Sequence, residues 1–151
     1  MKLSFRSSVI TILLVSLAVM GSEKSYAQQS QKDVILNKFI TMHNDGSEAS
    51  IKEFIKATYH PGIYSKIDLK KHVAFYNHVI GEFGTLNAGV YEKARETPTK
   101  LVVHLIKSDR LLSEEHIDPT EVLVVEIDLH ETEPTYLSRG LGLGALACAR
   151  E

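Results

Sequence analysis

Cysteine is almost absent from this 151-residue chain, in which Cys148 is the only one. A single cysteine excludes an intramolecular disulfide, so an apolar core must hold the fold without a covalent link. In an oxidising compartment an unpaired cysteine can still bridge two chains. Because its neighbours Leu146 and Ala147 are apolar, we favour a buried, inert thiol over such a bridge.

The sequence also lacks an apolar run long enough to cross a bilayer. Its longest mostly apolar run covers Val9–Met20, whereas a transmembrane helix needs about 20 consecutive apolar residues. Basic residues precede the run and Ser25-Tyr26-Ala27 follows it, which is typical of a cleavable secretory signal. We predict that residues 1–27 are a signal peptide and that the mature protein is periplasmic or secreted, with no membrane span. An uncleaved anchor is the alternative.

Positive charge is scarce in the mature part. Three basic residues and one acidic residue would leave with the signal, so 17 basic and 19 acidic residues become 14 and 18, and the formal net charge becomes −4. Nucleic acids and anionic membranes are bound through basic patches. The balance therefore argues against both as partners.

The 124 residues that remain suit one domain with one core. We predict a disordered lead-in over residues 28–32 and a single domain over 33–151. Apolar residues first recur at three- and four-residue steps, which predicts helices that begin near Asp33, Ser47 and Asp68. The predicted core residues are Phe39, Phe54, Val73, Tyr76, Ile80, Val103, Val125 and Leu141.

After Gly84 the apolar period changes to two, which is typical of strands. Four strands are predicted, over Leu86–Arg95, Lys100–Lys107, Glu121–Leu129 and Leu137–Leu146. Helices followed by a meander of strands indicate the α+β class. We expect N-terminal helices packed on a curved four-stranded antiparallel sheet.

Catalytic and metal motifs are missing as well. The chain has neither a Gly-x-Ser-x-Gly elbow nor a Ser-x-x-Lys motif. No two of its seven histidines have the i, i+4 spacing of a helical zinc site, and one cysteine cannot form a thiolate cluster. We therefore predict no catalytic residue, no metal and no cofactor.

Three alternating glycines, Gly140, Gly142 and Gly144, lie in the last predicted strand. Their spacing matches the sequence pattern of a dinucleotide-binding motif. The motif also needs a following helix that holds the pyrophosphate, and too few residues follow to form it. Alternation places the glycines on one face of the strand. Close packing or curvature explains such a stripe, and the approach of a ligand or partner is the alternative.

A small pocket between helices and sheet is the remaining candidate site. Tyr59, Tyr64 and Tyr76 come from neighbouring helical segments, and His104 lies in the second strand. An aromatic lining with a titratable group is typical of a small apolar ligand site. Glu126, on the third strand, completes the candidate ligand-binding set. The alternative is that the tyrosines only edge the core, with their hydroxyls in solvent.

Four stretches of the chain resemble a known module. They are Phe54–Pro61, Lys71–Tyr76, Gly81–Leu86 and Tyr136–Leu143. Together they are similar to the small N-terminal module that precedes the β-lactamase-like or C-terminal-processing-peptidase-like domain of bacterial exported hydrolases. The resemblance implies a cystatin-related, nuclear-transport-factor-2-like fold and a non-catalytic role, and it supplies no catalytic residue. The connection from Asp109 to Thr120 is longer than the hairpin usual in that module.

Two functions follow as expectations. The first is a non-enzymatic exported binding or accessory module. It would use a sheet face or a small cavity to bind a protein, a peptide or a small apolar ligand. The chain could also form a homodimer. The alternative is a small acid-base enzyme of the ketosteroid-isomerase-like type, which rests on analogy of fold. Such an enzyme needs a carboxylate base and a hydroxyl donor in one apolar pocket, and Glu126 with a tyrosine would have to provide them.

Overall fold

A computed structural model describes residues 31–109 and 117–146, apart from the side chains of residues 89–91. The predicted signal peptide, the first three residues of the predicted lead-in and Cys148 lie outside the described residues.

Four helices come first, at or close to the positions that the apolar pattern predicts. They are α1 over residues 31–45, α2 over Glu48–Thr58, α3 over Pro61–Tyr64 and α4 over Leu69–Phe83. The predicted N-caps are confirmed, because Ser47 Oγ accepts the Ser50 N–H (3.2 Å) and Asp68 Oδ1 accepts the Lys71 N–H (3.2 Å). Each cap satisfies a backbone donor that the first turn of its helix leaves without a partner.

The predicted disordered lead-in is wrong for its last two residues, Gln31 and Lys32, because both belong to α1. The Lys32 side chain is only 1% exposed and its ammonium lies 3.1 Å from the Glu96 carboxylate. It also donates to the carbonyl of Thr97. This pairing with a residue more than 60 positions away was not visible in the local pattern, which showed only a polar stretch.

Four antiparallel strands follow and pair in chain order: β1 (Leu86–Glu96), β2 (Lys100–Lys107), β3 (Leu123–Asp128) and β4 (Gly142–Ala145). The predicted α+β class with an antiparallel sheet is confirmed, the sheet is open, and residues 31–109 and 117–146 contribute four strands to it. Among the described strands, β1 and β4 lie at the two edges.

Two strands are shorter than predicted. A single 3-10 turn over Pro119–Glu121 delays the start of β3. Strand β4 begins at Gly142 and not at Leu137. Leu137 forms only isolated bridges, to Leu129 and to Tyr59 of the helical layer, and continuous pairing with β3 starts at Gly142.

The core lies between the helices and one face of the sheet, which we call the inner face. On β2 and β3 alternate residues are buried, and these inner-face residues are Leu101, Val103, Leu105, Leu123, Val125 and Ile127. All the predicted core residues are buried except Ile80, which is partly exposed at the edge of the same cluster. Among the described residues no helix is long and apolar enough to cross a membrane.

Candidate functional site

Tyr59 and Tyr76 meet inside the core and bond to each other. Their hydroxyl oxygens are 3.0 Å apart, and the two residues are 3% and 1% exposed. The Tyr59 hydroxyl also accepts the backbone N–H of Leu141, where the chain approaches β4. Burial raises the pKa of both phenols, that of Tyr76 strongly. Both hydroxyls therefore stay neutral, and each satisfies the other in an apolar surrounding.

Tyr64 lies at the end of α3 and packs, partly buried, against the edge of the same core. The structure does not place it in a pocket with the other two tyrosines. Clefts of about 520 Å³ and 540 Å³ lie between α1 and α2 and between α2 and α4, and none of the five predicted site residues lines either of them.

His104 and Glu126 project from the opposite side of the sheet, which we call the outer face. Their strand neighbours Val103 and Val125 are fully buried on the inner face, whereas His104 and Glu126 are partly exposed. The five predicted residues therefore divide into tyrosines on the helical side and a His/Glu pair on the other side. Placing His104 in a cavity between helices and sheet was wrong, because the alternation of β2 turns it away from the helices.

Ion pairs hold Glu126 on the outer face. Its carboxylate accepts from Lys100 Nζ (2.9 Å) and from Arg139 (3.0 Å). The bond to Lys100 is the main cause that lowers the pKa of Glu126, with Arg139 acting in the same direction. His104 Nδ1 lies 3.5 Å from a carboxylate oxygen of Glu92 on β1. The outer face thus carries ion pairs around Glu126 and a contact between His104 and Glu92.

The three glycines have different surroundings. A Cβ on Gly140 would lie 2.7 Å from the Tyr59 hydroxyl, and one on Gly142 would lie 3.0 Å from the Glu126 Cβ. A Cβ on Gly144 would have no described atom within 4 Å. Close packing therefore explains Gly140 and Gly142. It does not explain Gly144. The prediction that the three glycines share one face of a strand was wrong, because Gly140 lies before β4 and faces Tyr59, whereas Gly142 faces Glu126 on the outer face.

Strand β4 lies at one edge of the described sheet, and the hydrogen-bond pattern with β3 shows which of its backbone groups point away from β3. The residue after β4 donates its N–H to the carbonyl of Val122 (3.0 Å). Hydrogen-bonded pairs alternate along an antiparallel ladder, so Gly142 and Gly144 are the next residues of β4 that bond to β3. Leu143 and Ala145 turn their N–H and C=O groups away from β3. Among the described residues no strand pairs with this side of β4.

The β1 edge has features that hinder pairing with another chain, and the β4 edge lacks most of them. Strand β1 has two register shifts against β2 and carries exposed charges at Glu92, Lys93, Arg95 and Glu96. Charges and bulges are devices that keep an edge strand from pairing with another chain. Strand β4, Gly142-Leu143-Gly144-Ala145, has no charge, no proline and no register shift. Its only such device is its length of four residues.

Sequence reasoning missed a histidine pair beside this region. The imidazoles of His60 and His130 are stacked, with centroids 4.4 Å apart and planes 11° apart. Each Nδ1 accepts a backbone N–H, from Gly62 (3.1 Å) and from Glu133 (3.3 Å) respectively. The two residues are 70 positions apart in sequence, and long-range contacts such as the Tyr59 to Leu137 bridge and the His60–Glu133 pair (3.3 Å) bring their segments together. Within the described ranges no group of three or more His, Cys, Asp or Glu residues is placed to hold a metal ion.

No protein-family model, curated protein or solved structure matches the chain at a significant level.

Proposed function

We propose that this chain is a non-enzymatic exported binding or accessory module, and that its partner adds an extended strand to the free edge of β4. The observation that carries the proposal is the contrast between the two sheet edges, of which only β4 is smooth and uncharged. Backbone groups that alternate along an edge are complemented by another extended backbone, which is the basis of β-strand addition. The occupant is therefore an extended peptide segment of a partner protein.

The side chains around β4 indicate what that segment contains. On the outer face Gly144 leaves an open space, which a large apolar or aromatic side chain of the added strand would fill. On the inner face Leu143 and Ala145 pack partly buried against the core, so small apolar side chains suit that side. We therefore expect alternating large and small apolar residues in the bound segment. With four residues on the edge, few backbone bonds are available, so specificity depends on the side chain beside Gly144.

The positions of the carboxylate base and the tyrosine hydroxyls argue against the enzyme alternative. Glu126 lies on the outer face, while Tyr59 and Tyr76 lie in the core behind the inner face. A general base works best when its pKa is near the operating pH, yet the ion pairs of Glu126 lower its pKa. The decisive assay is turnover of enolisable ketones by the purified chain and by Glu126→Gln. Turnover that this substitution abolishes while the circular dichroism stays native would favour the enzyme.

A displayed library of random 12-residue peptides tests the binding proposal without a known partner. We expect selection on the immobilised mature chain to enrich peptides with the alternating apolar pattern. Ala145→Pro provides the sharpest variant, because proline removes the free-edge N–H and leaves the bonds of Gly142 and Gly144 to β3 in place. Ala145→Ser is the matched control, since it changes the side chain and keeps the N–H.

Enriched peptides should bind the wild type and Ala145→Ser alike and should lose at least tenfold in affinity for Ala145→Pro. In the complex the amide protons of Leu143 and Ala145 should become protected from exchange. Peptides that bind Ala145→Pro as tightly as the wild type, or a library that yields no binder, would contradict the proposal.

A further inference from the structure

His43 is the one buried side chain in the described residues that has a polar atom without a hydrogen-bond partner. It lies near the end of α1, is 1% exposed, and its Nδ1 has no partner. Its other ring nitrogen, Nε2, lies 2.7 Å from the carbonyl oxygen of Gly84. A carbonyl oxygen only accepts, so Nε2 carries the proton and the neutral ring leaves Nδ1 as a bare acceptor. The geometry thus fixes which tautomer the neutral ring adopts.

Asn44, the residue after His43, connects the end of α1 to the start of β1 through two hydrogen bonds. Asn44 donates its side-chain amide to the Leu86 carbonyl (2.9 Å) and accepts the Leu86 N–H (2.8 Å). Between the two anchor points the chain turns at Gly84, whose φ of 61° and ψ of −152° suit glycine alone. Four groups therefore meet at one corner, which we call the α1–β1 corner: His43, Asn44, Gly84 and Leu86.

Within the described part of the chain no acidic side chain is placed to compensate a positive charge on His43. Two groups in contact with its ring are the Phe39 ring, 5.6 Å away between centroids, and the Gly84 carbonyl. Burial lowers the pKa of His43, the hydrogen bond to Gly84 opposes that effect, and no charged side chain contributes. A proton added at Nδ1 would place a charged donor where no acceptor exists, which costs more than a neutral unsatisfied group.

We propose that His43 makes the α1–β1 corner an acid-triggered release, in which uptake of one proton detaches the end of α1 from Gly84 and Leu86. In the closed corner the ring stays neutral, while in the open corner water solvates the ring and Nδ1 takes the proton. Because the closed form resists protonation, acid favours the open form as the pH falls below the ordinary histidine range, near pH 6.5. The open population should then rise by up to about tenfold per pH unit, the limit for one proton.

Amide exchange measured by NMR on the exported protein at pH 7, 6 and 5 tests this proposal. After correction for the intrinsic exchange rate, protection of the Leu86 amide, which bonds to Asn44, should fall by about tenfold or more between pH 7 and pH 5. Protection of the Val103 and Val125 amides, in the two central strands, should stay nearly constant. A fall shared equally by all three amides would indicate global unfolding and would overturn a local release, as would constant Leu86 protection.

Two variants assign the effect to His43. In His43→Gln the amide still offers a donor to Gly84 but takes up no proton, so protection of Leu86 should no longer depend on pH. His78→Gln is the control, because His78 is 71% exposed on α4 and should leave the pH dependence unchanged. Should His43→Gln fail to fold, an NMR titration of the His43 ring in the wild-type protein tests the proposal instead. A ring that titrates normally in the closed state, with Leu86 protection unchanged, would overturn the proposal.

Discussion

The hydroxyl oxygens of Tyr59 and Tyr76 lie 3.0 Å apart within the core, and Tyr59 receives a second bond from the N–H of Leu141. The two tyrosines are therefore not equivalent. Removing the Tyr76 hydroxyl still leaves Tyr59 bonded to Leu141, whereas removing the Tyr59 hydroxyl leaves both the Tyr76 hydroxyl and the Leu141 N–H without this partner. A buried group that loses its partner costs about 1–3 kcal/mol.

We therefore expect Tyr59→Phe to destabilise the fold more than Tyr76→Phe, by roughly 2–3 kcal/mol against about 1 kcal/mol. Urea unfolding of the two variants and of the double variant measures both costs and their coupling. The double variant should cost less than the sum of the single variants, because they break one shared bond. Equal costs, or additive ones, would show that the pair does not act as described.

Gly140 and Gly144 form a matched pair for a second prediction. Alanine at position 140 would place its Cβ 2.7 Å from the Tyr59 hydroxyl, whereas alanine at 144 meets no described atom within 4 Å. Overpacking typically costs about 1–3 kcal/mol, so Gly140→Ala should lower the unfolding midpoint clearly and Gly144→Ala should change it little. Combining Gly140→Ala with Tyr59→Phe should recover part of the loss. Similar effects of the two alanines would mean that the space around β4 differs from this description.

The sequence predicted the elements whose local signals agree. The helices near Ser47 and Asp68 combine an N-cap with an apolar stripe, and Lys100–Lys107 is a β-prone run bounded by turn residues, so both helix starts and the strand bounds were correct. Long-range contacts were not predictable from such signals. Lys32 looked like part of a polar lead-in because its partner Glu96 is distant in sequence.

The candidate site was harder to predict than the fold. The prediction placed His104 in a pocket between helices and sheet, which was wrong, because alternation divides the residues of a strand between two sides but cannot say which side the helices cover. In β3 both sides contain aliphatic residues, so the pattern left the orientation of Glu126 open. The free edge at β4 was equally hidden, because strand order is a property of the folded sheet.

Glu126 should contribute to stability in a pH-dependent way. Its bonds to Lys100 and Arg139 lower its folded-state pKa, so the contribution is present above the ordinary glutamate pKa, near 4.3, and is lost as the pH falls through the folded-state value. Because the side chain is 33% exposed, solvent screening limits the effect to about 0.5–1 kcal/mol. Glu126→Gln should show that loss at pH 7 and almost none at pH 3, by urea unfolding.

Glu131→Gln, at an exposed position in the turn after β3, is the control for that comparison. It should change the unfolding midpoint little at either pH. A loss in Glu126→Gln that persists at pH 3 would mean that packing, and not charge, is what the substitution removes.

The free edge of β4 is the basis of the proposed function, and amide exchange in the unbound protein tests it directly. The N–H groups of Gly142 and Gly144 should be protected, because they belong to the ladder with β3. Those of Leu143 and Ala145 should exchange at least tenfold faster, since they point away from that ladder. Equal and strong protection at all four positions would mean that the edge is already occupied, and would contradict the account.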